Sequence, residues 1–185
     1  GVRERAFVDR TFGIPLLTGS TLDVTTDDDL KHVSKVLTRN IVSETLQTND
    51  ILISSAGTVG KADFVHRNHE GRLASQDVIR IRPKSANPPP GYVYAFLMSQ
   101  IARRLIANQP AGSVIVRVYE ENLEALTVPR LPPSAEARIA RMITASFDAR
   151  ADAKSLLATA DAEFLSRSRL PRVPYERFSR HSIED

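Results

Sequence analysis

Gly57-Thr58-Val59-Gly60-Lys61 is the segment closest to a catalytic motif, because glycines followed by a lysine can cradle phosphate groups. A phosphate loop also needs Gly where Ser55 stands and Ser or Thr where Ala62 stands, so this is not a nucleotide-binding loop. Asp27, Asp28 and Asp29 are three consecutive carboxylates, but neighbouring side chains in a helical turn diverge, and acidic residues behind Thr26 suit a helix N-terminus. His66 and His69 have neither a cysteine nor a matching carboxylate pattern to complete a zinc set. With no Ser/His/Asp order and no nuclease-type carboxylate–lysine cluster, the expectation is a non-catalytic chain with no metal and no cofactor of its own.

A second candidate is Asn87-Pro88-Pro89-Pro90. An Asn-Pro-Pro-aromatic sequence serves DNA amino-methylation by holding the target amino group while the aromatic stacks on a flipped base. Proline at position 90 cannot stack in that way, and no Gly-rich cofactor loop follows a strand. The segment reads as a loop.

The 185 residues, 42% apolar, suffice for one domain of ordinary size plus an appendage. The absence of cysteine excludes disulfides and thiolate metal sites, and no apolar run reaches the roughly 18 residues of a membrane span. The expected location is the cytoplasm. Net charge is only +3, and residues 1–133 hold 16 basic against 14 acidic side chains, a difference of +2. Arg167, Arg169, Arg172, Arg177 and Arg180 crowd the C-terminal end.

The elements that would hold any site form an α+β pattern. Ile51-Leu52-Ile53 and Val78-Ile79-Arg80-Ile81-Arg82 predict strands, the second with Ile79 and Ile81 inward and a basic exposed side. Leu30, Val33 and Leu37 at helical spacing predict a helix after Asp27–Asp29. Pro83 to Gly91 ends the sheet, and Val93, Leu97, Ile101 and Leu105 predict one amphipathic helix from Tyr92 to about Asn108. Val114-Ile115-Val116-Arg117-Val118 is strand-like, a short helical piece follows, and Pro129 to Pro133 stops the globular part. From Ser134 to about Arg169 some 36 residues without Gly or Pro predict a helix roughly 54 Å long. Its stripe of Ile139, Ile143, Phe147, Leu157, Ala160 and Phe164 calls for a second long helix, from another copy or another half of the same protein; a helix folded back on its own domain is the alternative.

Three divisions follow: a globular domain over 1–133, a long spacer or dimerisation helix over 134–170, and a basic linker or tail over 171–185.

Taken in order, these segments resemble the specificity subunits of type I restriction-modification systems over roughly residues 3–170. The resemblance is carried by Phe12-Gly13-Ile14-Pro15-Leu16-Leu17-Thr18-Gly19-Ser20, and most specifically by Asn49-Asp50-Ile51-Leu52-Ile53-Ser54-Ser55-Ala56-Gly57-Thr58-Val59-Gly60. Ser75-Gln76-Asp77, Gly91 to Ser99, Gly112-Ser113 and the proline-rich exit into a long helix complete it. It implies a target recognition domain, with a twisted β-sheet and packed helices, followed by a spacer helix that pairs as a coiled coil. Each such domain reads half of a split double-stranded DNA site. The resemblance also implies partner methyltransferase subunits using S-adenosylmethionine to methylate adenine, and an ATP-driven restriction and translocase subunit that cleaves. A complete recognition domain of that family begins before Gly1. A half of a longer subunit, a half-length subunit that dimerises and a fragment therefore all remain open. The family's glutamate–glutamine pair at the start of the spacer helix stands here as Ala135-Glu136-Ala137.

Phosphates call for Arg or Lys, and base edges for Arg, Lys, Asn, Gln, Ser or Thr. The loops beside the strands supply the candidates Ser20, Thr21, Lys35, Arg39, Thr58, Lys61, Arg72, Gln76 and Arg117. Aromatic content of 6%, with no aromatic cluster beside basic residues, disfavours a single-strand stacking platform. Two other readings stand beside this one: a recognition domain cut from a fused restriction-methylation enzyme, and an oligomerising adaptor that binds no DNA.

Overall fold

A computed structural model describes residues 5–22, 30–38, 40–56, 61–67, 69–107 and 117–168. The fold is mixed α+β, with two small sheets and a long C-terminal helix. The chain forms two compact units, Gly1–Ala151 and Asp152–Asp185. The division falls inside the long helix rather than at residue 133, because the first turns of that helix complete the core of the first unit.

The first sheet has the order β1 (Phe7–Val8), β3 (Lys31–Ser34), β2 (Gly13–Leu17), β6 (Leu73–Ala74), antiparallel except for the β2–β6 pair. The second is antiparallel, with β4 (Ile51–Ser54) between β5 (Ala62–Phe64) and β7 (Val78–Ile81). All four residues of β4 are buried, so both faces of this strand must be covered by other elements. Leu52 packs with Leu17, Ala74 and Val78 between the sheets. Ile51 and Ile53 point the other way, toward Phe64, Tyr94, Leu97 and Phe147. That second cluster is closed by α2 (Pro90–Met98) and by α5 (Pro133–Ser168), whose backbone lies so near Gly91 that a Cβ there would stand 3.0 Å from the Ala140 carbonyl oxygen.

The rings of Phe64, Tyr94 and Phe147 form a triangle with centroids 5.5–5.6 Å apart and tilted or edge-on contacts. Burial, with Asp63 nearby, pushes the Tyr94 hydroxyl above its usual range, so it stays neutral.

Three expected elements differ. Lys31–Ser34 is a strand, not part of a helix. Pairing with both β1 and β2 fixes the extended form, into which β-branched Val33 fits, and Leu37 is exposed in the following turn. Asp27–Asp29 lie outside the described residues. The single helix expected from Tyr92 is two, α2 and α3 (Gln100–Ala107), broken at extended Ser99, whose hydroxyl accepts from the Ala102 amide at 3.2 Å and caps α3. The break rotates the stripe: Ala102 and Ile106 are buried, whereas Ile101 and Leu105 are exposed. The basic side of β7 is partly exposed, but its arginines are engaged in ion pairs. Arg82 grips the buried Asp50 carboxylate through two bonds of 2.8 and 2.7 Å, which raise its own pKa, and Arg80 lies 3.8 Å from Glu44. Of the strand expected over Val114–Val118, positions 114–116 lie outside the described residues.

Between α4 (Glu120–Glu124) and α5, Arg130 and Glu136 lock the entry to the long helix. Arg130 Nε and Nη2 donate to the two Glu136 oxygens at 2.8 and 3.0 Å, and the Leu131 amide adds a bond at 2.9 Å. Arg130 also donates to Asn87 Oδ1 at 2.7 Å, and the Tyr92 hydroxyl donates to the Pro129 carbonyl at 2.6 Å. Asn87, linked to Pro88 by a cis bond, thus serves this junction.

Two outcomes follow. Phe147→Ala should cost about 3–5 kcal/mol in denaturant unfolding, as for other buried aromatics, whereas Phe164→Ala, exposed, should stay within about 0.5 kcal/mol in the monomer. The bonds from Arg130 and from the Leu131 amide hold the Glu136 carboxyl below the ordinary glutamate value of 4.5. A lowered folded-state pKa contributes stability that is complete above the unfolded value and is lost as pH falls through it toward the folded one. The thermal unfolding midpoint should therefore fall below about pH 4.5, and Glu136→Gln should flatten that acid limb while lowering stability at neutral pH.

Candidate nucleic-acid interface

The C-terminal end of β4 draws four chain segments together. The 3-10 turn Gly19–Thr21 follows β2 and presses on this end so closely that a Cβ on Gly19 would come within 2.4 Å of Ser54 Oγ. Ser54 Oγ donates to the Ala56 carbonyl at 2.8 Å. The Ser55 amide donates to the Asp77 carbonyl at 2.9 Å, and the Ser55 carbonyl accepts from the Val118 amide at 3.0 Å. These backbone links hold the turn Ser75–Asp77 and the segment from Arg117 beside the end of β4 at Ser54–Ala56.

Five of the sequence candidates meet at this edge. Ser20 is exposed, with its hydroxyl 3.0 Å from that of Thr18. Lys61 Nζ donates to the Ser20 carbonyl at 3.4 Å. Gln76 is exposed at the tip of its turn, and Arg117 Nη2 donates to Asp77 Oδ1 at 3.2 Å, both side chains partly in solvent. Thr21 is there too, but its Oγ1 accepts from the Thr18 amide at 2.8 Å and donates to the Thr18 carbonyl at 3.3 Å, so it shapes the turn.

The other candidates separate from this group. Lys35 is exposed in the turn after β3, and the pairing of Ser34 with Gly13 puts it at the opposite end of β2 from Ser20. Five strand residues span about 17 Å, so one short contact cannot use both. Arg72 is 5% exposed, and a guanidinium that deep cannot reach a phosphate; its carbonyl accepts from the Leu46 amide beside β6. Its candidacy is corrected to a structural role. Arg39 and Thr58 lie outside the described residues.

Asp77 was not among the candidates. It matters because its carboxylate pairs with Arg117, leaving the edge with Lys61 and Arg117 against one acid, a net +1. An Asp two residues after Ser75 gave no signal of a partner 40 positions away.

The apolar stripe of the long helix divides. Phe147 is buried in the core of the first unit, Ile143 packs against that core, and Ile139 is half-buried. Leu157, Ala160 and Phe164 are exposed. The two histidines go to different acids, His66 Nε2 to Asp148 Oδ1 at 2.8 Å and His69 Nδ1 toward Asp63 Oδ2 at 3.6 Å. Among the described residues no group of three or more His, Cys, Asp or Glu is placed to hold a metal ion, and no helix is long and apolar enough to cross a membrane. No protein-family model matches the chain, and no curated protein matches it.

Proposed function

We propose that this chain reads double-stranded DNA as one target recognition domain, with its spacer helix, of a type I restriction-modification specificity subunit. The observation that carries the reading is the convergence of Ser20, Lys61, Gln76 and Arg117 on the end of β4, around the segment of the most specific sequence resemblance. Hydroxyl, amide and basic groups there are the types that reach base edges and phosphates. The 36-residue helix supports the second half of the reading. Its distal part leaves Leu156, Leu157 and Phe164 61–70% exposed, in need of a second helix from another copy or another half. In this role the chain has no chemistry of its own. It directs methyltransferase subunits that use S-adenosylmethionine and a restriction subunit that uses ATP, in the cytoplasm.

Binding of duplex DNA by the chain together with its methyltransferase partner, measured across a salt series, tests the proposal. Affinity should fall steeply with salt, and Lys61→Ala and Arg117→Ala should each lower the slope by about 1 if they contact phosphates. Gln76→Ala should instead change the preferred sequence, and Gly19→Ala, by forcing the turn away from Ser54, should weaken binding without altering the chain's mass in solution. Binding that is flat in salt, or without any sequence preference, would overturn the reading.

A further inference from the structure

Helix α3 carries an exposed face that nothing in the first unit covers among the described residues. Ile101 is 69% and Leu105 48% exposed, and Arg104 lies between them on the same face at i+3. Arg103, also exposed, donates to Met98 Sδ at 3.6 Å, and Gln100–Ala107 contains no acid. The apolar side chains of Ile101 and Leu105 gain nothing from a phosphate backbone, which is bound by charge and hydrogen bonds. They suit a protein surface of matching apolar and acidic character.

Such a surface is present on the chain itself. Between Ser155 and Leu165 the long helix has two acids, Asp161 and Glu163, and no base. Leu157, Asp161 and Phe164 stand at i, i+4 and i+7, so one face offers apolar, acidic and apolar groups in succession. Ile101, Arg104 and Leu105 offer apolar, basic and apolar groups. Glu163 is already 2.7 Å from Arg167, but both are largely exposed and such surface pairs contribute little. Asp161 is exposed on the docking face.

We infer that α3 of one copy is the docking surface for the Ser155–Leu165 segment of a second copy, with Arg104 opposite Asp161 and the leucine, isoleucine and phenylalanine side chains closing around the pair. Two copies related by a two-fold axis make this contact twice. The inference rests on the part of the proposed function that joins two copies through the helix, and not on DNA recognition. It closes Leu157 and Phe164 on the globular unit of the other copy, so that helix–helix pairing between the copies falls to other exposed positions of α5 such as Leu156.

The chain has no cysteine, so introduced thiols report on this contact alone. Ile101→Cys and Leu157→Cys proteins, mixed and mildly oxidised, should form an intermolecular disulfide. Arg104→Asp and Asp161→Arg should each raise the dissociation constant of the two-copy complex about tenfold or more, since like charges then face each other. The double variant should recover most of that loss. A complex that persists with unchanged affinity in both single variants, and without the Ile101–Leu157 cross-link, would overturn docking on α3 while leaving the joined helices in place. A wild-type chain that remains a monomer at high concentration would overturn both. Loss of salt-dependent duplex binding with the cross-link retained would overturn DNA recognition and leave this contact standing.

Discussion

The burial of β4 on both faces is the constraint from which the rest of the first unit follows. A strand with Leu52 on one side and Ile51 and Ile53 on the other cannot lie at the surface, so the chain must supply two layers. The sheet built on β2 provides one. Helix α2 and the first turns of α5 provide the other, which is why Phe147, fourteen positions into a helix, belongs to the same ring triangle as Phe64 from β5. The edge where the candidate residues gather is the open end of this same strand. Its position is thus a consequence of the core: β4 cannot shift register without moving Ser54, and with it the Gly19 turn and the Asp77 backbone.

The two polar locks deal with what this layering leaves unsatisfied. Asp50, immediately before β4, is buried, and Arg82 satisfies both its oxygens from the end of β7, while the Gln47 amide adds a third bond. Glu136 is buried at the start of α5 and is satisfied in the same manner by Arg130 and Leu131. Carboxylates in such positions are costly unless paired, and removing one partner leaves the other charge stranded. Both pairs join segments that enter or leave the core, so they fix where β4 begins and where the long helix starts.

Much of this layout was legible in the sequence, for identifiable reasons. The apolar runs at Ile51–Ile53 and Val78–Ile81 are too short for helices, and the length of Pro133–Ser168 without Gly or another Pro leaves one interpretation. The failures are non-local or depend on one side chain. Leu30, Val33 and Leu37 have helical spacing, but the partners that make Lys31–Ser34 a strand come from residues 7–8 and 13–16. The break at Ser99 depends on one hydroxyl capping α3, a local signal that an otherwise regular stripe concealed. Of the candidate site, the grouping of Ser20 with Lys61 is encoded in the glycine at 19, whose missing Cβ permits the approach. The burial of Arg72 had no local signature, because a loop arginine reads as exposed until the strand beside it is placed.

Under the proposed function, the electrostatics of the edge impose a division of labour. Lys61 and Arg117 against Asp77 amount to about one net positive charge, and the chain as a whole carries only +3. Counterion release from so few phosphate contacts gives weak binding with only a shallow salt dependence of its own. A single unit of this kind can discriminate between sequences, because discrimination comes from differences among base contacts, but it cannot hold DNA tightly alone. Affinity must then come from joining two such units at a fixed separation and from the basic surfaces of partner subunits, since linkage turns the second binding event into an intramolecular one. A helix of 36 residues, about 54 Å, is suited to that task where an unstructured linker is not, because helical residues add a defined rise each and are already ordered when DNA binds. Under that proposal the modest charge of the globular unit and the length of its helix serve one arrangement, with specificity at the edge of β4 and affinity from the assembly.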